Sequence, residues 1–212
     1  MNNNTNIYFG DNRLIITESS DFIHKWPINN TYSAILNNPN DVAIKQLIAD
    51  IESSKLKDGV IYCSNSAIIM NIIAKQFSSI EAAGGIVENE HEELLFIFRR
   101  NKWDLPKGKL ELNEIPRIAA EREIEEETGV KNILYKDNIA ITHHVYEAFG
   151  QKVLKTTHWF HFSCKKNQPL NPQLEEDITE IQWFDKTNLD IPLSNTFDTI
   201  KDLITIFISQ SN

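Results

Sequence analysis

Three glutamates, at positions 123, 126 and 127, are the residues of this chain best suited to chemistry. They lie between Arg117 and Thr128, a stretch rich in Ala, Glu and Arg that reads as a helix, with Gly129 placed to stop it. At roughly 100° per residue the three carboxylates fall within an arc of about 100° on one face, and Glu125 points almost directly away. Ala120 and Ile124, one turn apart, supply part of a buried stripe. Crowded carboxylates repel and weaken a helix left alone. Hard divalent cations remove that repulsion, and oxygen ligands of this kind suit Mg2+, with Mn2+ as a substitute. Such an ion can polarise a bound oxygen and lower the pKa of a bound water.

The glutamates belong to a longer pattern. Gly108 is followed after five residues by Glu114, and seven residues later come Arg122-Glu123-Ile124, then Glu126-Glu127 and Gly129-Val130. These positions resemble the Nudix box, G-x5-E-x7-R-E-U-x-E-E-x-G-U with U apolar, and every defined position is filled. A bare run of glutamates is ordinarily a solvated helix face. With Gly108, Glu114, Arg122 and Gly129 in register, the functional reading prevails. The resemblance implies a pyrophosphohydrolase acting on phosphoric anhydrides. It implies metal ligation by Glu123, Glu126, Glu127 and the Gly108 carbonyl, with Glu126 and Glu127 in the catalytic set. Glu127 is the default general base. Arg122 and Glu114 join that set as groups that orient the metal-binding glutamates.

The segment before the box, Trp103 to Glu111, reads WDLPKGKLE. Its Leu-Pro-Lys-Gly lead-in resembles the branch that hydrolyses dinucleoside polyphosphates, with diphosphoinositol polyphosphate hydrolases nearby. ADP-ribose or a nucleotide sugar is the runner-up substrate. Lys107 is a candidate phosphate contact, set against the reading of a solvated surface lysine. Lys155 is a second candidate, because several Nudix relatives carry a basic residue on the corresponding strand; alternation puts it on one face with Thr157, Trp159 and His161. Glu175 and Glu176 sit in a polar loop, and in many relatives a glutamate from a late loop completes the metal shell or acts as base. The histidines at 143, 144, 158 and 161 read as hydrogen-bonded strand residues rather than a zinc site.

The elements that must position these groups can be read in outline. Residues 80–87 and 94–98 read as strands ahead of the box, 139–147 and 153–163 as strands joined through 148–152, and 181–184 as a last strand. A helix starting near Ser194 or Asn195 follows, with Phe197, Ile200, Leu203, Ile204, Phe207 and Ile208 on one face. Pro116 suits a first helical turn, although Ile115 before it offers no side-chain cap. This order matches an α/β fold, the Nudix α/β/α sandwich with a mixed sheet, over residues 80–212. Residues 1–79 read as a separate small α/β domain. It has a hairpin at Gly10-Asp11-Asn12, helices capped at Asp41 and Ser66, and a buried strand at 59–63. It contains no catalytic motif, so a structural or oligomerising role is expected, including a homodimer contact.

Composition narrows the partners. The 212 residues carry a net charge of −9, of which residues 1–80 (6 basic, 7 acidic) hold −1. An acidic chain with no basic stripe is a poor candidate for extended nucleic-acid binding, so a small phosphorylated metabolite is expected. A ligand-sensing module is the rival of another class, but it would want lost box carboxylates or a basic helix-turn-helix. No apolar run is long enough to cross a membrane, and MNNNTN lacks a signal-peptide pattern. Two cysteines, Cys63 and Cys164, suggest buried free thiols and a cytoplasmic setting.

Overall fold

The computed structural model describes residues 4–27, 32–148 and 150–210. Along the chain run β1 (Thr5–Phe9), β2 (Asn12–Thr17), α1 (Ser20–Lys25), β3 (Ser33–Asn37), α2 (Asp41–Glu52), β4 (Asp58–Tyr62) and α3 (Ser66–Ala74). Then come β5 (Ser78–Asn89), β6 (Glu93–Arg99), β7 (Lys102–Asp104), β8 (Lys107–Lys109), α4 (Pro116–Thr128), β9 (Leu134–Ala148) and β10 (Gln151–Cys164). A 3-10 turn at Leu174–Glu176 precedes β11 (Ile178–Asp185), α5 (Asp190–Ser194) and α6 (Asp198–Gln210). Two compact units result: Met1–Ile80 with Thr142–Thr156, and Glu81–Ile141 with Thr157–Asn212.

In the first unit β1 and β2 form the expected antiparallel hairpin, and β2, β4 and β3 lie parallel. The two longer helices form because Ile44, Leu47, Ile48 and Ile51 on α2, and Ile69 and Ile73 on α3, share buried faces against Leu14, Ile16 and Ile61. Their caps are Asn40 and Asn65, each accepting from the backbone N–H three residues on. Asp41 and Ser66, expected as caps, are the first helical residues instead; an asparagine one place earlier does the same chemistry.

The division departs from the expected split at 79/80 in one respect. The ends of β9 and β10, assigned by the sequence to the second domain, group with the first unit. Ile7, Tyr8 and Phe9 pair in parallel with His143, His144 and Val145, and Val145 and Leu154 enter the first unit's core. Pairing between segments so far apart leaves no local trace in the sequence. Phe149, in the expected connection between these strands, lies outside the described residues.

In the second unit the strands run in the order β11-β6-β5-β10-β9, with β7 beside β6 and β8 beside β5. Alternation assigns the two faces. Ile86, Leu94, Phe96, Trp159 and Phe184 pack under α6, with Leu203, Ile204 and Phe207. Ala83, Val87, Leu95, Phe160 and Phe162 pack under α4, with Ala119, Ala120 and Ile124. This is the expected α/β/α layering with a mixed α/β chain. The last helix starts at Asp198 rather than at Ser194 or Asn195. Ser194 instead ends α5, and Asn195 and Thr196 are held by β7: the Asn195 carbonyl accepts from the Trp103 N–H (2.9 Å) and the Thr196 hydroxyl donates to the Trp103 carbonyl (2.7 Å). No helix of the described residues is long and apolar enough to cross a membrane.

Candidate active site

Helix α4 sets the glutamates. Pro116 opens it without a side-chain cap from Ile115, and Gly129, at φ +77°, closes it in the left-handed conformation. Burial of Ala119, Ala120 and Ile124 fixes the helix's rotation. Glu127 is then 2% exposed and Glu123 13%, while Glu126 is 48% exposed at the rim. Glu125 is turned to the outside and pairs with Lys131 at 3.4 Å.

Gly108 lies on β8, opposite Ala83 of β5, directly beneath Glu123. The Glu123 carboxylate fills the space that a Cβ on residue 108 would need. No other residue leaves room for this contact. Arg122 organises the same end of the site. Its guanidinium grips Glu114 with two bonds of 2.9 Å and reaches Glu123 at 2.7 Å, Glu126 at 3.1 Å and the Lys109 carbonyl at 3.1 Å. The bond from Arg122, with one from the Glu111 amide, holds the Glu114 carboxyl below the usual carboxylate range. Glu123 is pushed the other way: burial raises its affinity for a proton, Arg122 opposes this, and Glu126 and Glu176 add to it.

Glu127 is anchored at both oxygens. One accepts from the Lys107 backbone N–H at 2.9 Å, and the other from Arg99 at 3.3 Å. Burial pushes its carboxyl up to about 7 against the pull of Lys107 and Arg99, and Asp104 adds to the rise. Lys107 thus serves this site through its backbone. Its ammonium is paired with buried Asp104 and donates to the Leu105 carbonyl at 3.3 Å. The side chain expected to reach a phosphate is turned inward. Lys155, the other candidate, belongs to the first unit.

Of the loop glutamates, Glu176 is the one drawn to this group, through Arg99 at 3.3 Å. Sequence reading passed over Arg99 and Asp104. The signal for Arg99 was present, since alternation through Leu95, Ile97 and Arg99 puts it on the α4 face of β6. Asp104 carried no signal beyond its place before Leu105.

Among the described residues no three His, Cys, Asp or Glu side chains are gathered as a ready metal cage. The glutamate oxygens are held instead by Arg122, Arg99 and the Lys107 amide. The donor set nonetheless fits a hard divalent cation. Three carboxylates share one face, two of them raised toward protonation, and a glycine keeps its backbone open beneath Glu123. Added positive charge there relieves the repulsion that Arg122 and Arg99 now offset.

Comparison with known proteins bears on the family and the fold. The NUDIX domain family model matches residues 79–203. A 58-residue stretch is 41% identical to the 8-oxo-dGTP diphosphatase of Escherichia coli (strain K12), covering 24% of this chain and 44% of that protein's length. The crystal structure of the MutT protein from Methanosarcina mazei Go1 superposes with a TM-score of 0.51 at 20% identity, over 65% of this chain and 98% of that one. This last likeness is one of fold. A C. elegans Ap4A hydrolase structure matches with a TM-score of 0.49 at 17% identity, over 61% of this chain and 96% of that one.

Proposed function

The chain belongs to the Nudix family, and from that premise we propose that it is a metal-dependent hydrolase of a diphosphate linkage in a nucleoside diphosphate joined to another moiety. The observation that carries the reading is the grouping of Glu123, Glu126 and Glu127 on one face of α4, with Glu125 excluded. Mg2+, or Mn2+ in its place, would be held by these three carboxylates and the Gly108 carbonyl. When bound, the ion supplies charge neutralisation for the diphosphate and Lewis-acid polarisation of its phosphoryl oxygens.

The chain's own residues do the rest. Arg122 and Glu114 hold Glu123 and Glu126 in place, so that the ligands are oriented before substrate arrives. The Lys107 amide and Arg99 each hold one oxygen of Glu127, which fixes the carboxylate's orientation while leaving lone pairs to accept a proton from an attacking water. Glu127 is the general base in this account.

The Leu105-Pro106-Lys107-Gly108 lead-in favours dinucleoside polyphosphates as the substrate class, with ADP-ribose or a nucleotide sugar second. Among its described residues the first unit offers no group of this kind, and it takes a structural or oligomerising role. A nucleotide-sensing module without turnover is the rival of another class. A panel of diphosphate-linked compounds, assayed with Mg2+ for release of nucleotide and phosphate, tests the proposal. Preferential cleavage of dinucleoside polyphosphates supports it in full; cleavage of nucleotide sugars alone keeps the chemistry and moves the substrate. Binding without turnover across the panel would favour the sensing module.

A further inference from the structure

The two-residue link Leu105-Pro106 joins short strands that rest on different neighbours. β7 lies on β6, with Asp104 opposite Ile97, and β8 lies on β5, with Lys107 opposite Gly84. The link is pressed close to β5. The Gly85 amide donates to the Pro106 carbonyl at 3.1 Å, and a Cβ on Gly84 would collide with that carbonyl and with the Lys107 Cβ. Among the described contacts, the end of β7 is tied to the start of β8 by one pair of side chains, Asp104 and Lys107.

Asp104 is buried and uses both carboxylate oxygens inside the turn. One accepts from the Leu105 N–H at 2.8 Å; the other accepts from the Lys107 ammonium, which also donates to the Leu105 carbonyl at 3.3 Å. These bonds close residues 104–107 into one ring of contacts. The main-chain N–H of Lys107 points out of that ring and donates to Glu127 at 2.9 Å. Burying a carboxylate is unfavourable, and an asparagine would satisfy the Leu105 N–H with less desolvation. What asparagine cannot do is hold the ammonium. The charge at 104 is therefore explained by the lysine it fixes, and that lysine by the amide it carries.

We propose that Asp104 is a positioning residue, which through its pairing with the Lys107 ammonium aims the Lys107 amide at Glu127. The inference rests on the hydrolase reading above. It gives the Lys107 side chain a place in the turn rather than on the diphosphate, and Asp104 itself need not touch substrate.

The test uses the full-length protein with Asp104→Asn, Lys107→Met, Lys107→Arg and the double variant Asp104→Asn/Lys107→Met, each checked for folding by circular dichroism. The proposal expects kcat to fall by at least about 10-fold in Asp104→Asn and in Lys107→Met, with KM changed by no more than about 3-fold. The two losses should not multiply in the double variant, because either change removes the same pair. Lys107→Arg keeps a cation for Asp104 and should recover part of the loss. Hydrogen exchange at the residue-107 amide should quicken in Asp104→Asn and Lys107→Met, a readout that needs neither turnover nor metal. A raised KM with kcat preserved in Lys107→Met would make the ammonium a phosphate contact and overturn the proposal. So would losses that multiply, or folded variants that melt earlier yet keep both kcat and slow exchange at residue 107, since the pair would then only stabilise the turn. If Asp104→Asn does not fold, Lys107→Met set against Lys107→Arg decides on the same criteria. A wild-type protein that cleaves no diphosphate would instead defeat the hydrolase reading, and the exchange result would still judge the tie between Asp104 and the Lys107 amide.

Discussion

The carboxylate of Glu123 rests on the Cα of Gly108, in the space a side chain at 108 would occupy. This contact joins the strand before the box to the helix within it, two segments whose register the sequence spaces but does not explain. Gly108→Ala should therefore displace Glu123 without disturbing the core. We expect the fold to survive and the half-saturating metal concentration to rise by about 10–100-fold. Metal titration of activity, with circular dichroism as the control for folding, measures both. An alanine variant with unchanged metal dependence would show that the contact is idle.

Glu126→Gln and Glu127→Gln should each lower kcat by at least about 100-fold, because each loses a charged ligand and not a packing group. Glu125→Gln is the control, since its carboxylate faces outward to Lys131. Steady-state kinetics on the three variants decides the matter, and equal losses at all three would mean that the helix face is wrongly assigned.

The division of labour between sequence and structure is plain at particular residues. The α4 face was legible because a helix's period and the fixed spacing of the box determine it locally. So were the strands whose alternation sorts Leu94 and Phe96 from Leu95. What stayed hidden depends on partners distant in the chain. Lys107 read as a free cation because nothing local shows that Asp104 will be buried and will claim it. The pairing of β1 with β9, and the grip of Arg99 on Glu176, are likewise set only when the sheet assembles.

That pairing has a consequence for truncation. Without residues 1–79 the β9 residues His143–Val145 lose their parallel neighbour, and Val145 and Leu154 lose the core they enter. An open strand edge beside exposed apolar groups favours aggregation. The fragment 80–212 should be less stable than the full chain or self-associate, as read by thermal melting and size-exclusion chromatography. A monomeric fragment with the full-length melting temperature would contradict this.

His161 gives the second unit an acid-sensitive joint. Its ring packs edge-on against Phe207 of α6 at 4.8 Å and bonds Glu88 at 3.1 Å, with Lys186 on the same carboxylate at 2.6 Å. Burial lowers its affinity for a proton, Glu88 opposes this, and Lys136 and Lys186 reinforce it. A histidine depressed in the folded state contributes stability that is whole above its unfolded value and is lost as pH falls from there toward the folded value. The melting temperature should drop as pH falls below about 6.5, the ordinary histidine value. His161→Gln should flatten that drop, and an identical profile in the variant would remove His161 from the account.

The central claim is that the glutamate face of α4 works only with a divalent cation. The most direct measurement is turnover of the best-cleaved compound by full-length protein after exhaustive chelation, followed by addition of Mg2+ or Mn2+. We expect activity to fall to background on chelation and to return with either ion, while Glu127→Gln stays inactive at every metal concentration. Full turnover in the chelated protein would contradict the claim.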